Sequence, residues 1–206
     1  MLAASRPLAL VLALATATSL VTPGATAQEG AAPPPAPASA VPVGEDTAES
    51  LGDHVRAIRA AHDGGDHERA AALTRALIPS GEELAALFAP DADPAIRAKI
   101  EQGLALPPDA PANMVGKLLA PPGRTEVVVH AATVAELRAY AAGSAAAREF
   151  PGGAQKIAAF LQPEGRRLYE VVLREPGKEL GSRFHLFFWT PKGWRMLGPA
   201  WRALPR

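Results

Sequence analysis

Nine of the eleven aromatic residues in this chain lie between Phe150 and Trp201. Large rings supply most of the area that a core can bury, so the last quarter of the chain must supply the centre of the fold. Strand-like segments occur there. In 166–174, Tyr169, Val171 and Leu173 alternate onto one face. In 183–190, alternation places Phe184, Leu186 and Phe188 on one face and His185, Phe187 and Trp189 on the other. Thr190-Pro191-Lys192-Gly193 reads as a turn, after which Trp194 to Leu197 returns as the last strand. Upstream, 124–130 carries three consecutive valines, a residue type that suits a pleated, half-buried surface. Strands joined by hairpins predict a mainly antiparallel, curved sheet of about four strands.

The first half of the domain is poor in rings and rich in alanine. Asp46 with Glu49 reads as a capping pair before Leu51, Val55 and Ile58 at helical spacing. Gly64-Gly65 ends that helix, and Asp66 opens the next, which Pro79 stops. Ser80 with Glu83 is a capping box ahead of Leu84, Leu87 and Phe88. Asp93-Pro94 sets an N-cap before proline at the first helical position. Met114 to Leu119, Thr133 (with Glu136) to Tyr140, and Ala154 to Leu161 suggest three more short helices. Such helices bury little area each and need a larger surface to dock on. The fold class expected is α+β: N-terminal helices packed on one face of a C-terminal sheet, as a single domain over 46–206.

Residues 1–27 read as a signal peptide. One positive charge precedes an apolar run from Leu8 to Val21, Pro23-Gly24 breaks it, and Ala25-Thr26-Ala27 forms a small-x-small cleavage site. The run is shorter than the roughly 20 apolar residues that span a bilayer, and no transmembrane segment follows it. The chain is therefore expected to be exported, periplasmic or secreted. Residues 28–45 form a Pro/Ala-rich linker that lacks the apolar bulk to build a core.

The chain has no Cys, which excludes disulfides, thiolate metal sites and a Cys nucleophile. Its 21 basic and 21 acidic residues balance, which argues against a nucleic-acid partner. Charge is nonetheless segregated: residues 28–123 hold 14 acids and 7 bases, whereas residues 155–206 hold 4 acids and 10 bases. Acidic helices lying on a basic sheet would neutralise each other; a basic face left open would suit an anionic partner.

No nucleophile elbow, phosphate loop or dinucleotide fingerprint occurs. His67-Glu68 begins like a zinc-protease motif, but Ala71 stands where the second histidine is required. His62-Asp63-Gly64-Gly65-Asp66-His67 could offer metal ligands, but an ordinary helix-to-helix turn, with Asp66 as a cap and both histidines solvated, explains it better. No catalytic residue, metal site or cofactor is assigned. The candidate ligand-binding residues are Tyr169, His185, Trp189 and Trp194, whose polar tips on large apolar bodies could line an aromatic pocket on the sheet. His185 would serve as a general base only with a carboxylate or tyrosine hydroxyl in reach. The function expected is a non-enzymatic interaction or binding module. Its partner would be an envelope protein or a small apolar ligand; a hydrolase or isomerase using His185 is the lesser alternative.

The stretch Phe184 to Trp189, followed by Gly193-Trp194-Arg195-Met196-Leu197-Gly198-Pro199, resembles the ending of certain exported bacterial proteins of unknown function. Ala76-Leu77-Ile78-Pro79 with Leu84 and Phe88 is similar to their helical part. More loosely, the chain resembles NTF2-like and cystatin-like α+β folds, with more helices and fewer strands than a minimal cone-shaped domain. The resemblance implies export and a fold; it implies no activity.

Overall fold

A computed structural model describes residues 44–162 and 165–205; the expected signal peptide and nearly all of the linker lie outside the described residues. Strands β1 (Glu126–Thr133), β2 (Arg167–Arg174), β3 (Gly181–Thr190) and β4 (Gly193–Met196) form an open sheet in the order β1-β2-β3-β4. Each strand runs antiparallel to the next. The fold is α+β with helices packed on this sheet, as the distribution of aromatic residues predicted.

The helices are α1 (Ala48–Asp63), α2 (His67–Arg75), α3 (Gly81–Leu87), α4 (Pro94–Leu104), α5 (Ala112–Lys117), α6 (Val134–Ala139), α7 (Ala145–Glu149) and α8 (Gly152–Ala158), with a 3-10 turn at Ala200–Ala203. Two of the three expected capping pairs form. Ser80 and Glu83 exchange side-chain and backbone bonds at the start of α3, as do Thr133 and Glu136 at the start of α6. The first cap differs from expectation. Thr47, in extended backbone, accepts the Ser50 N–H, so it caps α1, while Asp46 accepts the Tyr169 hydroxyl. Helix α7 and the 3-10 turn were not signalled by periodicity, because each is too short to display one.

Helices cover both faces of the sheet rather than one. On the first face, Tyr169, Val171, Leu173, Phe187 and Trp194 pack with Leu51, Val55 and Ile58 of α1 and Leu73 of α2. On the second, Leu168, Leu186, Phe188 and Leu197 pack with Leu84 and Leu87 of α3, Ile96 and Ile100 of α4, Leu137 of α6 and Ile157 of α8. Strands β2 and β3 are apolar on both sides, as strands buried between two layers are, so one helical layer cannot satisfy them.

The simple alternation expected for 184–190 fails at one point. Val171 stands opposite Phe184 and Tyr169 opposite Phe187, so two residues of β3, His185 and Leu186, oppose the single residue Glu170. This is a β-bulge. Leu186 accommodates it with φ +61°, in the left-handed region. The extra residue reverses the pleat. Phe184 therefore shares the first face with Phe187 and Trp189, and His185 does not.

Candidate functional site

The four residues selected from the sequence are not brought together. Tyr169, Trp189 and Trp194 lie on the first face. The Tyr169 and Trp194 rings meet edge-on at 5.0 Å, and Trp189 meets Trp194 at 5.1 Å. Tyr169 and Trp194 are buried, and their polar tips are occupied. The Tyr169 hydroxyl donates to Asp46 Oδ1 at 2.8 Å, and Trp194 Nε1 donates to Ser50 Oγ at 3.2 Å. These side chains weld α1 and its lead-in to the sheet.

His185 projects from the second face, where it meets Glu170 across β2 and β3. Its Nδ1 lies 2.8 and 3.0 Å from the two carboxylate oxygens of Glu170, which is fully buried. An ionised carboxylate only accepts, so Nδ1 carries the hydrogen. Nε2 makes no hydrogen bond among the described residues, and the imidazole is 23 % exposed. The ring meets Trp201 at 5.1 Å, and Gly153 leaves the room in which the Trp201 ring sits.

Further polar side chains complete the cluster. Arg183 Nη1 lies 3.8 Å from Glu170 Oε1 and donates to the Glu149 carbonyl at 2.6 Å. His130 stands directly opposite Glu170 across β1 and β2, and its Nε2 lies 3.3 Å from Glu149 Oε2. A fully buried carboxylate demands such partners, since an unpaired charge out of water costs several kcal/mol. Chemically, the arrangement holds one imidazole in a fixed tautomer with its outer nitrogen presented, which is how a carboxylate orients a general base.

Of this cluster, the sequence reading selected only His185. Glu170 carried a signal: it sits in a strand between Leu168 and Val172, so an acid on an apolar face had to be buried and paired. His130, Glu149, Arg183 and Trp201 come from separate elements, and no local pattern links them.

Elsewhere, His62 and Asp63 lie 3.4 Å apart and Asp66 caps α2 through the Arg69 N–H. Among the described residues no group of three or more His, Cys, Asp or Glu is placed to hold a metal ion. No described helix is long and apolar enough to cross a membrane. Among the described residues one ion pair ties the acidic helical half to the basic sheet: Glu83 of α3 and Arg195 of β4 meet at 2.8 Å, each nearly buried.

The two sheet edges differ. Strand β4 is four residues long, and its last amide, at Met196, donates to Leu77 O at 2.7 Å. Strand β1 is eight residues long, pairs with β2 at every position without a bulge, and among the described residues has no strand on its other side. It contains no proline, lysine or arginine. Comparison with family models, with curated proteins and with solved structures finds no match.

Proposed function

We propose that the chain is an exported interaction module of the cell envelope, and that it acts through edge strand β1, with a second copy of itself as the first partner. The observation that carries this reading is the unprotected edge. Natural sheets blunt their edges with short strands, bulges, prolines or lysines, and β1 has none of these devices. An exposed strand edge with paired pockets on either side is a standard means of protein recognition.

Self-pairing follows from the order of residues in β1. With a two-fold axis at Val128, antiparallel pairing sets Val128 against the partner's Val128, Val127 against the partner's Val129, and Glu126 against the partner's His130. Valines meet valines at the centre, and an acid meets an imidazole at both ends, pairs that favour strand association. The export signal in residues 1–27 and the linker at 28–45 support the envelope as the setting.

Because the protein has no other cysteine, Val128→Cys is a clean probe. Mild oxidation should give a covalent dimer, whereas Ala142→Cys, on an exposed loop, should not. Val128→Lys sets like charges against each other on the axis and should leave a monomer by native mass spectrometry. A monomeric wild-type chain at tens of micromolar, or equal crosslinking from both cysteine positions, refutes the dimer.

A second reading has one observation in its favour. Glu170 lies within reach of His185 and holds its Nδ1 hydrogen, which supports Nε2 as the lone pair of a general base in a hydrolase or isomerase, or as an oriented acceptor for a small ligand. His185→Gln should then abolish turnover or ligand binding with the fold retained.

A further inference from the structure

A groove of about 480 Å³ separates the C-terminal half of α4 from the 3-10 turn at Ala200–Ala203. This is within the size range of small-molecule sites. Its floor is apolar, with Ile100, Leu197 and Ala200 all buried, and Ala203 stands at its side. Lys99 on α4 and Arg202 on the turn are exposed along its rim, and neither forms a salt bridge among the described residues. None of the residues lining it is acidic. That is unexpected for a groove built on α4, since α4 belongs to the half of the chain in which acids outnumber bases two to one.

We propose that this groove binds a single-chain anionic amphiphile, with its apolar body on the Ile100–Leu197–Ala200 floor and its carboxylate or phosphate head between Lys99 and Arg202. Apolar floors supply affinity by area, and a few placed charges supply orientation. The C-terminal end of α4, whose Gly103 and Leu104 line the groove, carries a partial negative charge of about half a unit. Two full cations at the rim outweigh it, and the long stems of Lys99 and Arg202 let the charges swing over a bound head. The site does not involve β1 or His185, so it stands or falls independently of the readings above.

The test is calorimetric titration of the purified protein with sodium decanoate, decyl phosphate and neutral decanol, each below its micelle-forming concentration. Decanoate or decyl phosphate should bind with a stoichiometry of one, at least about tenfold more tightly than decanol. The stronger of the two anions identifies the head as carboxylate or phosphate. The double variant Lys99→Glu/Arg202→Glu, altered only at exposed positions, should weaken anion binding at least about tenfold, a difference of about 1.4 kcal/mol. Ala203→Trp fills the groove and should abolish binding of both anions; its thermal melt checks that it folds. No binding of either anion overturns the proposal, as does binding that survives either set of substitutions or that fails to distinguish anion from alcohol.

Discussion

Glu170 and His185 are joined across β2 and β3 at the one place where the register of those strands breaks. The register that sets Val171 against Phe184 brings His185 opposite Glu170 in the next step, and the extra residue, Leu186, follows before Phe187 comes opposite Tyr169. The bulge therefore lets His185 face Glu170 while Phe184, Phe187 and Trp189 all keep to the first face. The cost is carried by Leu186, held in a left-handed conformation that costs a non-glycine residue about 1–2 kcal/mol. Full burial of the same side chain offsets this.

The pair should therefore behave as one unit. His185→Leu leaves the buried carboxylate without its imidazole and should cost about 3 kcal/mol. Glu170→Leu removes the charge that needs compensation and should cost less. The double variant should be close to Glu170→Leu alone, giving a coupling energy of about 1–3 kcal/mol from urea midpoints. A coupling below about 0.5 kcal/mol would mean that the two side chains contribute independently.

Tyr169 anchors the lead-in to α1, and its ionisation reports that anchor. Burial, then hydrogen bonding to Asp46 and the Asp46 charge, push the phenol up to about 12, with Arg167 opposing. A folded value above the ordinary value of 10 means that its contribution to stability is complete below pH 10. That contribution is lost as the pH rises through about 12. Absorbance titration at 295 nm should show a late tyrosinate component that is missing in Tyr169→Phe. That variant should also lose about 2 kcal/mol, the worth of a hydrogen bond to a charged acceptor. A titration identical in the two proteins would rule the anchor out.

Much of this was readable from residue order. The two capping boxes form because Ser80 and Glu83, and Thr133 and Glu136, meet within one turn, and local chemistry decides them. The four strands follow from the placement of valines and rings. The site was less legible for two physical reasons. The bulge carries no glycine, so nothing marks the residue at which the alternation of β3 reverses. The partners of Glu170 come from β3, while those of His130 come from α7, contacts fixed only once both faces of the sheet are covered. Asp46 fails as a cap for a related reason: a long-range acceptor role for Tyr169 takes precedence over a local one that Thr47 also fills.

Glu83 and Arg195 link the acidic and basic halves, and the link should be visible in acid. Burial pushes the Glu83 carboxyl up. The bond from Arg195, the Ser80 N–H, the Arg195 charge and the Thr190 hydroxyl more than reverse this and hold it below the ordinary 4.5. The stability it contributes is present above pH 4.5 and is lost as the pH falls through the lower folded value. Arg195 also donates to the carbonyls of Ala76 and Trp194. Arg195→Met should therefore cost about 3 kcal/mol at pH 7. Glu83→Gln should reduce the acid-dependent loss of stability below pH 4.5; an unchanged acid profile would count against the pair.

His54 should set the onset of acid sensitivity, well before the carboxylates respond. It is buried at the α1–α2 contact, 7 % exposed, with Nε2 3.4 Å from Leu73 O. Burial lowers its affinity for a proton, the Leu73 carbonyl opposes this, and the Arg195 charge adds to the lowering. The net direction is below the ordinary 6.5, so the folded protein keeps His54 neutral where the unfolded chain binds a proton. Its contribution is complete above pH 6.5 and is lost as the pH falls from there through the lower folded value. Melting temperature should thus begin to decline below pH 6.5 in the wild type. His54→Gln should flatten the slope in the interval from pH 6.5 down to 4.5 while leaving the Glu83 phase below it in place. If the two proteins decline in parallel across that interval, another group is responsible.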